Sequence, residues 1–374
     1  MSNLMPIHFR AWAASAAIFG GLCFHAPRAQ TPADTAWINL IQNFSDWDLK
    51  LRYQNLNVNW NNTFQMVGGV LTVDYSNYVD FTNEPFGHAC YKVRPFSYYY
   101  LRAEYQVWGN QVPLGPGWAL QNNGFMLHSQ SMASMGLNQD FPMSLEAQLL
   151  GPGNGSSTMN LCTPGSAFYT TATGGTVNLN HCINATSQPR AAVNTGWQPV
   201  SALVLADSVV RHYVNNVLVL TYYRTVQYQG NVSGNTITIT NNAPLNQGYI
   251  TIQAESHPYR FRRIDVVNLM GCMTVGNANY KSYLIKHDPN ACATTGVHEV
   301  EARASMRLAF AGRSVSALGS GNVTLEVFGM NGKSVGSLSG KAPLTWNMPI
   351  PRAGVYYVKA FTEKGSFGEK TAQF

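Results

Sequence analysis

The stretch Asn122–Gly151, NNGFMLHSQSMASMGLNQDFPMSLEAQLLG, decides the fold class. Both its ends alternate apolar and polar residues with a period of two, while Ser, Gly, Asn and Pro interrupt the middle. Side chains alternate across a strand, so in Ser144–Leu150 the residues Leu145, Ala147 and Leu149 take one face and Ser144, Glu146 and Gln148 the other. The same parity separates Met126 and His128 from Phe125 and Leu127. A carboxylate, an amide and an imidazole are thus set into strands rather than loops.

Working outward, strand patterns recur at Tyr98–Trp108, Ala202–Leu205, Val209–Val214, Val217–Tyr223, Thr236–Thr240, Gly248–Glu255 and Arg260–Asn268. Asn215-Asn216 reads as a two-residue hairpin turn, because Asn tolerates positive φ. No amphipathic helix of more than a few turns stands out, so the class is all-β. So many antiparallel strands over residues 36–270 predict one two-sheet jelly-roll sandwich. Residues 271–301 have no clear period and read as a cysteine-closed connector. Residues 302–374 form a separate pattern of two hairpins, with Asn331-Gly332 and Lys364-Gly365 at their turns, and predict a small second β-sandwich.

Composition narrows the function classes. Of 374 residues, 45% are apolar and 12% aromatic, enough for a large core, but only 11% are charged against the roughly 25% usual for soluble domains. The net charge of +6 is scattered, which excludes a nucleic-acid footprint. Residues 1–29 read as a signal peptide: Arg10 precedes an apolar, Ala-rich run to Phe24, with cleavage after Ala29. That run is shorter than the roughly 20 residues needed to span a bilayer, and no later segment is long and apolar enough. A secreted or cell-surface location follows. Cysteine usage agrees with it: Cys162 with Cys182 and Cys272 with Cys292 are pairs of equal spacing, read as disulfides rather than metal thiolates, leaving Cys90 over.

Parity extends the polar face. In Tyr249–His257, Ile250, Ile252 and Ala254 face inward, and Thr251, Gln253, Glu255 and, with the strand continuing, His257 face the other way. In Tyr98–Trp108, Arg102, Glu104, Gln106 and Trp108 oppose Leu101, Ala103, Tyr105 and Val107. Placed in one sheet, these four strands would build a patch of carboxylates, imidazoles, amides, a guanidinium and an indole. Two readings stay open, a solvated sheet face and a sugar site, since Gln, His and Trp suit hydroxyls and pyranose faces. Trp118 is a second candidate for stacking. His88 and His181, beside cysteines and aromatics, read as structural, and Asp140 as a turn cap or a cation ligand. No serine-nucleophile elbow, phosphate loop, H-E-x-x-H or dinucleotide fingerprint is present.

Six segments in order, FGHACYKVRPFSYYYLRAEYQ (86–106), the stretch 122–151, NLCTPGS (160–166), HCINATS (181–187), RHYVNNVLVLTYY (211–223) and GYITIQAESHPYRFRRIDVVNL (248–269), resemble the 3-keto-disaccharide hydrolase family. Asn122-Asn123-Gly124 and Phe261-Arg262-Arg263 depart from its usual Asn-Ser-Gly and Phe-Arg-Asn or Phe-Arg-Lys. The resemblance implies a concanavalin-like jelly roll and cleavage of glycosides already oxidised to a ketone at C3. On that expectation Glu146 is the general base, His128 and His257 are acid or metal ligands, Glu255 orients His257 or ligates the cation, and Arg102 polarises the ketone. Glu104, Trp108, Gln148 and Gln253 bind substrate. Base and ligand roles are exchangeable, and one divalent cation of unstated identity fits this set. A non-catalytic carbohydrate-binding surface protein is the alternative. The segments VTLEVFGMNGKSV, AGVYYVKAF and GEKTAQF of residues 302–374 resemble the sorting domain of the type IX secretion system, which implies a Gram-negative source and contact with secretion machinery.

Overall fold

A computed structural model describes residues 36–275, 277–292, 306–329, 333–350, 355–363 and 365–372. The expected signal peptide, residues 1–29, and the turn residues Asn331, Gly332 and Lys364 lie outside the described residues. Strands dominate, and the helical turns among the described residues are three-residue 3₁₀ segments. No helix of the described residues is long and apolar enough to cross a membrane.

The chain divides into two compact units, one through Ala291 and one from Cys292. In the first, a nine-stranded sheet runs in the order 166–169, 217–227, 209–214, 198–205, 98–107, 259–268, 70–73, 64–67, with 38–39 paired to 259–268. A seven-stranded sheet runs 182–183, 160–162, 145–150, 122–129, 248–254, 87–96, 47–51. Strands distant in sequence are neighbours, such as 248–254 between 122–129 and 87–96, so the chain crosses between layers as a jelly roll requires.

The inward faces build one core. Leu101, Ala103, Tyr105 and Val107 from one sheet join Leu145, Ala147, Leu149, Ile250 and Ile252 from the other, and Phe125 meets Phe261 edge to face with ring centres 5.6 Å apart. Two buried tyrosines tie the layers together, Tyr105 donating to Leu150 O at 3.0 Å and Tyr259 to Leu149 O at 2.9 Å. These hydroxyls have protein acceptors, without which their burial would be costly. Asn215 and Asn216 form the expected turn, with φ of 50° and 65° between the paired Val214 and Val217.

One expected strand is absent. Thr236–Thr240 has no ladder, although Ile237 and Ile239 pack on the core. Ile237 N donates to Asn235 Oδ1 and Thr240 N to Gln227 Oε1, so side chains take the bonds that a neighbouring strand would have taken.

Cys162 and Cys182 are bonded and occupy directly opposed positions on adjacent strands. Cys272 and Cys292 are also disulfide-bonded, and Cys90 is free and buried. This usage fits an oxidising compartment. The segment expected as a connector is not bare chain. Met270–Gly271 pairs with Lys286–His287, and Tyr283 packs with Tyr100, Leu203, Val267 and Leu269 on the outer face of the nine-stranded sheet.

The second unit is one hydrogen-bonded network of five strands, 306–311, 314–329, 334–347, 355–362 and 365–372. The long strand 314–329 changes partner at Gly319–Gly321, pairing first with 306–311 and then with 355–362. Both glycines have positive φ, 156° and 102°, which lets the strand turn there. A single core cluster gathers Met306, Leu308, Val315, Leu325, Val327 and Val358 from both arms. Thr362 pairs with Gly365, so Gly365 stands in the ladder and not in the turn expected for it.

Candidate active site

Two rows of outward-facing side chains cross the seven-stranded sheet. In the first, Lys50 is in register with His88, His88 with Gln253, Gly124 with Gln148 and Gln148 with Asn160. In the second, Asp48, Cys90, Thr251, Met126, Glu146 and Cys162 stand side by side. The missing side chain of Gly124 shapes the centre. A Cβ there would stand 2.6 Å from Glu146 Oε1 and 2.7 Å from Gln253 Oε1, so these two side chains lean in from the flanking strands over bare backbone.

The segment after strand 122–129 roofs part of this face. Met132 and Met135 pack on Cys90. Gln139 donates to Gln130 Oε1 at 3.0 Å and to Phe141 O at 2.8 Å, while Gln130 Oε1 also accepts from Met143 N at 2.8 Å. Phe141 stands edge-on to His88 at 5.8 Å and leans on Phe86 at 5.2 Å, and Trp118 leans on Phe86 at 5.7 Å with 53% of its surface exposed. Asp140 is structural, accepting from Phe141 N, Ser233 N and Ser233 Oγ at 2.8–2.9 Å.

The electrostatics are out of balance. Glu146 is 5% exposed, Glu255 2% and Gln253 0%, yet Glu146 Oε1, Glu255 Oε2, both amide atoms of Gln253, Thr251 Oγ1, Asn122 Oδ1 and both ring nitrogens of His88 have no protein partner. Buried polar groups are normally satisfied within the protein, and Tyr99 Oη, His128 Nε2 and both ring nitrogens of His257 lack partners as well. Burial raises the Glu146 carboxyl well above the ordinary carboxylate range, and the Gln253 amide opposes this only in part. Burial raises Glu255 well above that range too, with the Glu146 carboxylate adding to the shift. Two neighbouring carboxyls that resist ionisation will hold one proton between them over a wide pH range. Gln253 suits either state, since its carbonyl accepts from a protonated Glu146 and its amide nitrogen donates to an ionised one. Burial, with Lys50 adding, depresses His88 to about 3, so its ring is neutral.

Of the expected site residues, Glu146, Gln148, Gln253 and Glu255 share this face. His128 does not. With φ of 51° it sits in a bulge, where residues 127 and 128 stand opposite Ile250 alone. Its ring turns to Tyr99, 5.7 Å away in the core, and its Nδ1 lies 3.1 Å from Leu245 O. His257 does not either. Strand 248–254 ends before it, Ser256 takes φ of 97°, and the ring packs edge-on to Tyr259 at 6.2 Å. Burial holds both imidazoles at about 4. The expected ligand set His128, Glu255 and His257 is therefore not assembled, and no group of three or more His, Cys, Asp or Glu able to hold a metal occurs among the described residues.

Arg102 and Glu104 belong to the other sheet and face away from the core, and Trp108 follows the end of their strand, so the whole sandwich separates Arg102 and Glu104 from Glu146. There Arg102 pairs with Asp265 at 2.9 Å, Glu104 with Arg262 and Arg263, and Trp108 with Arg260. The sequence reading passed over His88, Thr251, Asn122 and Asn160 as site residues. Parity applied to GHACYK, with Ala89 and Tyr91 inward, would have put His88 on the outer face.

A model of the 3-keto-α-glucoside-1,2-lyase-like domain matches residues 36–267, well over half of the chain and all of the jelly roll. The chain belongs to the 3-keto-α-glucoside-1,2-lyase-like family. A family of carbohydrate-active domains is thereby its setting, and the Glu146 face lies wholly inside the matched residues. No curated protein matches the chain. Among solved structures it is similar to a candidate glycosyl hydrolase from Parabacteroides distasonis, with 14% identity, TM-score 0.38, and 64% of this chain and 98% of that one covered. It is also similar to a carbohydrate-binding module from Bacillus subtilis, with 8% identity, TM-score 0.33, and 60% and 96% covered. A third is a galectin-like protein of unknown function from Bacillus subtilis, with 9% identity, TM-score 0.36, and 62% and 94% covered.

Proposed function

We propose that the outer face of the seven-stranded sheet cleaves 3-keto-glycosides by elimination and hydration. The observation that carries this reading is the convergence of Glu146 and Gln253 over Gly124, with the Glu255 carboxyl close enough to Glu146 to feel its charge, all three buried and unsatisfied within the protein. A ketone at C3 acidifies the proton on C2. In its ionised form Glu146 takes that proton, the electron pair forms the C2–C1 double bond through the enolate, and the C1–O bond breaks with the oxygen leaving as an alcohol. Glu255, which burial and the neighbouring Glu146 carboxylate hold protonated, donates the proton to the leaving oxygen. Water then adds across C1 and C2, its hydroxyl to C1 and its proton to C2, which restores the ketone and yields the free 3-keto sugar. General-base catalysis of this kind contributes about 10²–10⁴-fold. His88, Gln148, Thr251 and Asn160 bind hydroxyls, and Trp118 offers an exposed indole at the rim.

His128, turned to Tyr99 in the core, has no part in this scheme, and His257 is given none. Incubating the purified protein with 3-keto-glucosides, the parent glucosides and polysaccharides tests the reading. Turnover of the keto sugars alone supports it. Retention of sugar without turnover, unchanged in Glu146→Gln, would instead make the protein a carbohydrate-binding surface protein.

We also propose that the unit from Cys292 directs export, as the resemblance of VTLEVFGMNGKSV and AGVYYVKAF to type IX sorting domains implies. Ending the chain just after Cys292, which keeps that cysteine and its disulfide, should leave the jelly roll folded and active inside the envelope and abolish its release.

A further inference from the structure

The nine-stranded sheet has a feature on its own outer face that the proposed reaction does not use. A cleft of about 370 Å³ opens there, lined by Trp108, Trp197, Arg260, Asp74, Gln65 and Thr72, within the roughly 300–1,000 Å³ typical of small-molecule sites. We propose that this cleft is a second carbohydrate site, which holds a pyranose ring of a glycan chain on the side of the sandwich opposite Glu146.

The walls are built from several strands in register. Gln65 is opposite Thr72, and Thr72 opposite Arg260, so three adjacent strands present their side chains in one row. Trp108 follows the end of strand 98–107 and Trp197 precedes strand 198–205, so the two indoles flank that row. Each indole is steadied by a cation on its face, Arg260 lying 3.3 Å from the ring centre of Trp108 and Arg262 4.8 Å from that of Trp197. Gln65 donates to Asp74 Oδ2 at 3.0 Å, which fixes a planar amide and a carboxylate side by side.

Charge pairing singles out Arg260. Arg102, Arg262 and Arg263 each meet Asp265 or Glu104, whereas Arg260 has no carboxylate partner among the described ion pairs and spends its face on Trp108 alone. Its N–H groups are left to bond outward. Indole edges and faces beside Arg260, which donates, and the Gln65 carbonyl and Asp74, which accept, are what a pyranose requires, since its ring C–H groups pack on aromatic carbon while its hydroxyls both give and take hydrogen bonds. A purely apolar partner would leave Arg260 unmatched, whereas Asp74 already accepts from Gln65 and Ser76.

This inference stands apart from the proposed reaction, and the two can fail separately. Calorimetric titration of the full-length protein with gluco-, xylo-, manno- and galacturono-oligosaccharides tests it, with turnover of a small 3-keto-glucoside measured in parallel. At least one of the four should bind, the neutral and acidic series telling whether Arg260 reads hydroxyls or a carboxylate. Trp197→Ala should weaken that binding about tenfold and leave keto-glucoside turnover unchanged, and Glu146→Gln should leave the binding intact. Thr72→Arg, which fills the cleft while keeping both indoles, should weaken binding as well, and it decides the matter should Trp197→Ala fold poorly. Absence of binding to all four series, or equal affinity in wild type and Thr72→Arg, overturns the proposal. Loss of binding in Glu146→Gln alone would assign it to the other face.

Discussion

The two outer faces of the sandwich arise from the same alternation of apolar and polar residues and end in opposite states. On the nine-stranded sheet, charges are neutralised next door: Arg102 on Asp265, Glu104 between Arg262 and Arg263. On the seven-stranded sheet, Glu146 and Glu255 are driven against each other with no cation paired to either among the described residues, and their atoms lack protein partners. The first arrangement is what a solvated face settles into, with each exposed pair contributing little. The second is unfavourable for the folded chain by itself, and its persistence points to chemistry rather than stability. A polar alternating strand thus indicates a face, and only its pairing state indicates a site.

The largest expected break between the faces is catalytic. Glu146→Gln keeps shape and removes the base, so turnover of a 3-keto-glucoside should fall about 10²–10⁴-fold with little change in Tm. Glu104→Gln, the matched change on the other face, should leave turnover intact. Equal losses in the two variants would show that the faces do not differ as described.

The disulfide beside Glu146 comes next. Replacing Cys162 and Cys182 together by Ser opens a loop spanning 20 residues of sequence at the edge of the site sheet, and denaturant unfolding should report a loss of about 3 kcal/mol. A loss below about 1 kcal/mol would mean that adjacent strands alone hold this edge.

Gly124 probes the centre. In Gly124→Ala the added Cβ meets Glu146 and Gln253 below 3 Å. Their displacement should lower kcat/KM about tenfold, with the stability cost of overpacking, about 1–3 kcal/mol, as an upper bound because both side chains can yield. Unchanged kinetics would separate Glu146 from the reaction.

The pH dependence sharpens the contrast at smaller amplitude. The carboxyls of Glu146 and Glu255 are raised in the folded chain above the ordinary 4.5, so folding strengthens their hold on protons. Their contribution to stability is complete below about pH 4.5 and is lost as pH climbs through the folded values. Glu146→Gln/Glu255→Gln should therefore gain in Tm over wild type as pH rises from 4.5 to 9. The buried histidines work with opposite sign: His88, His128 and His257 are depressed from 6.5 to about 3, 4 and 4, so the stability they give is present above 6.5 and lost in acid. Retained in both proteins, they cancel from the difference. A Tm difference flat in pH would remove the conflict between the carboxyls. The smallest effect belongs to the paired face, where Arg102→Ala should cost under about 1 kcal/mol, measured by urea unfolding.

Period-two alternation was enough to place the side chains of 145–150 and 248–254 on their correct faces, because a regular strand leaves parity no freedom. It also located the Asn215-Asn216 turn, since few residues accept positive φ in succession. His128 and Ser256 show where that logic ends. One residue in the left-handed region inverts parity, and neither a histidine nor a serine announces such a φ in advance.

What the sequence determined alone was the all-β class, the family, the cysteine pair Cys162–Cys182 and the face of each side chain within its own strand, since all of these depend on local spacing or on the order of motifs. Only the tertiary structure decided that strand 98–107 joins one sheet and strands 122–129, 145–150 and 248–254 the other. Strand partnership is settled by contacts between residues more than a hundred positions apart, such as Arg102 with Asp265, and alternation within a strand carries no information about which layer that strand will enter.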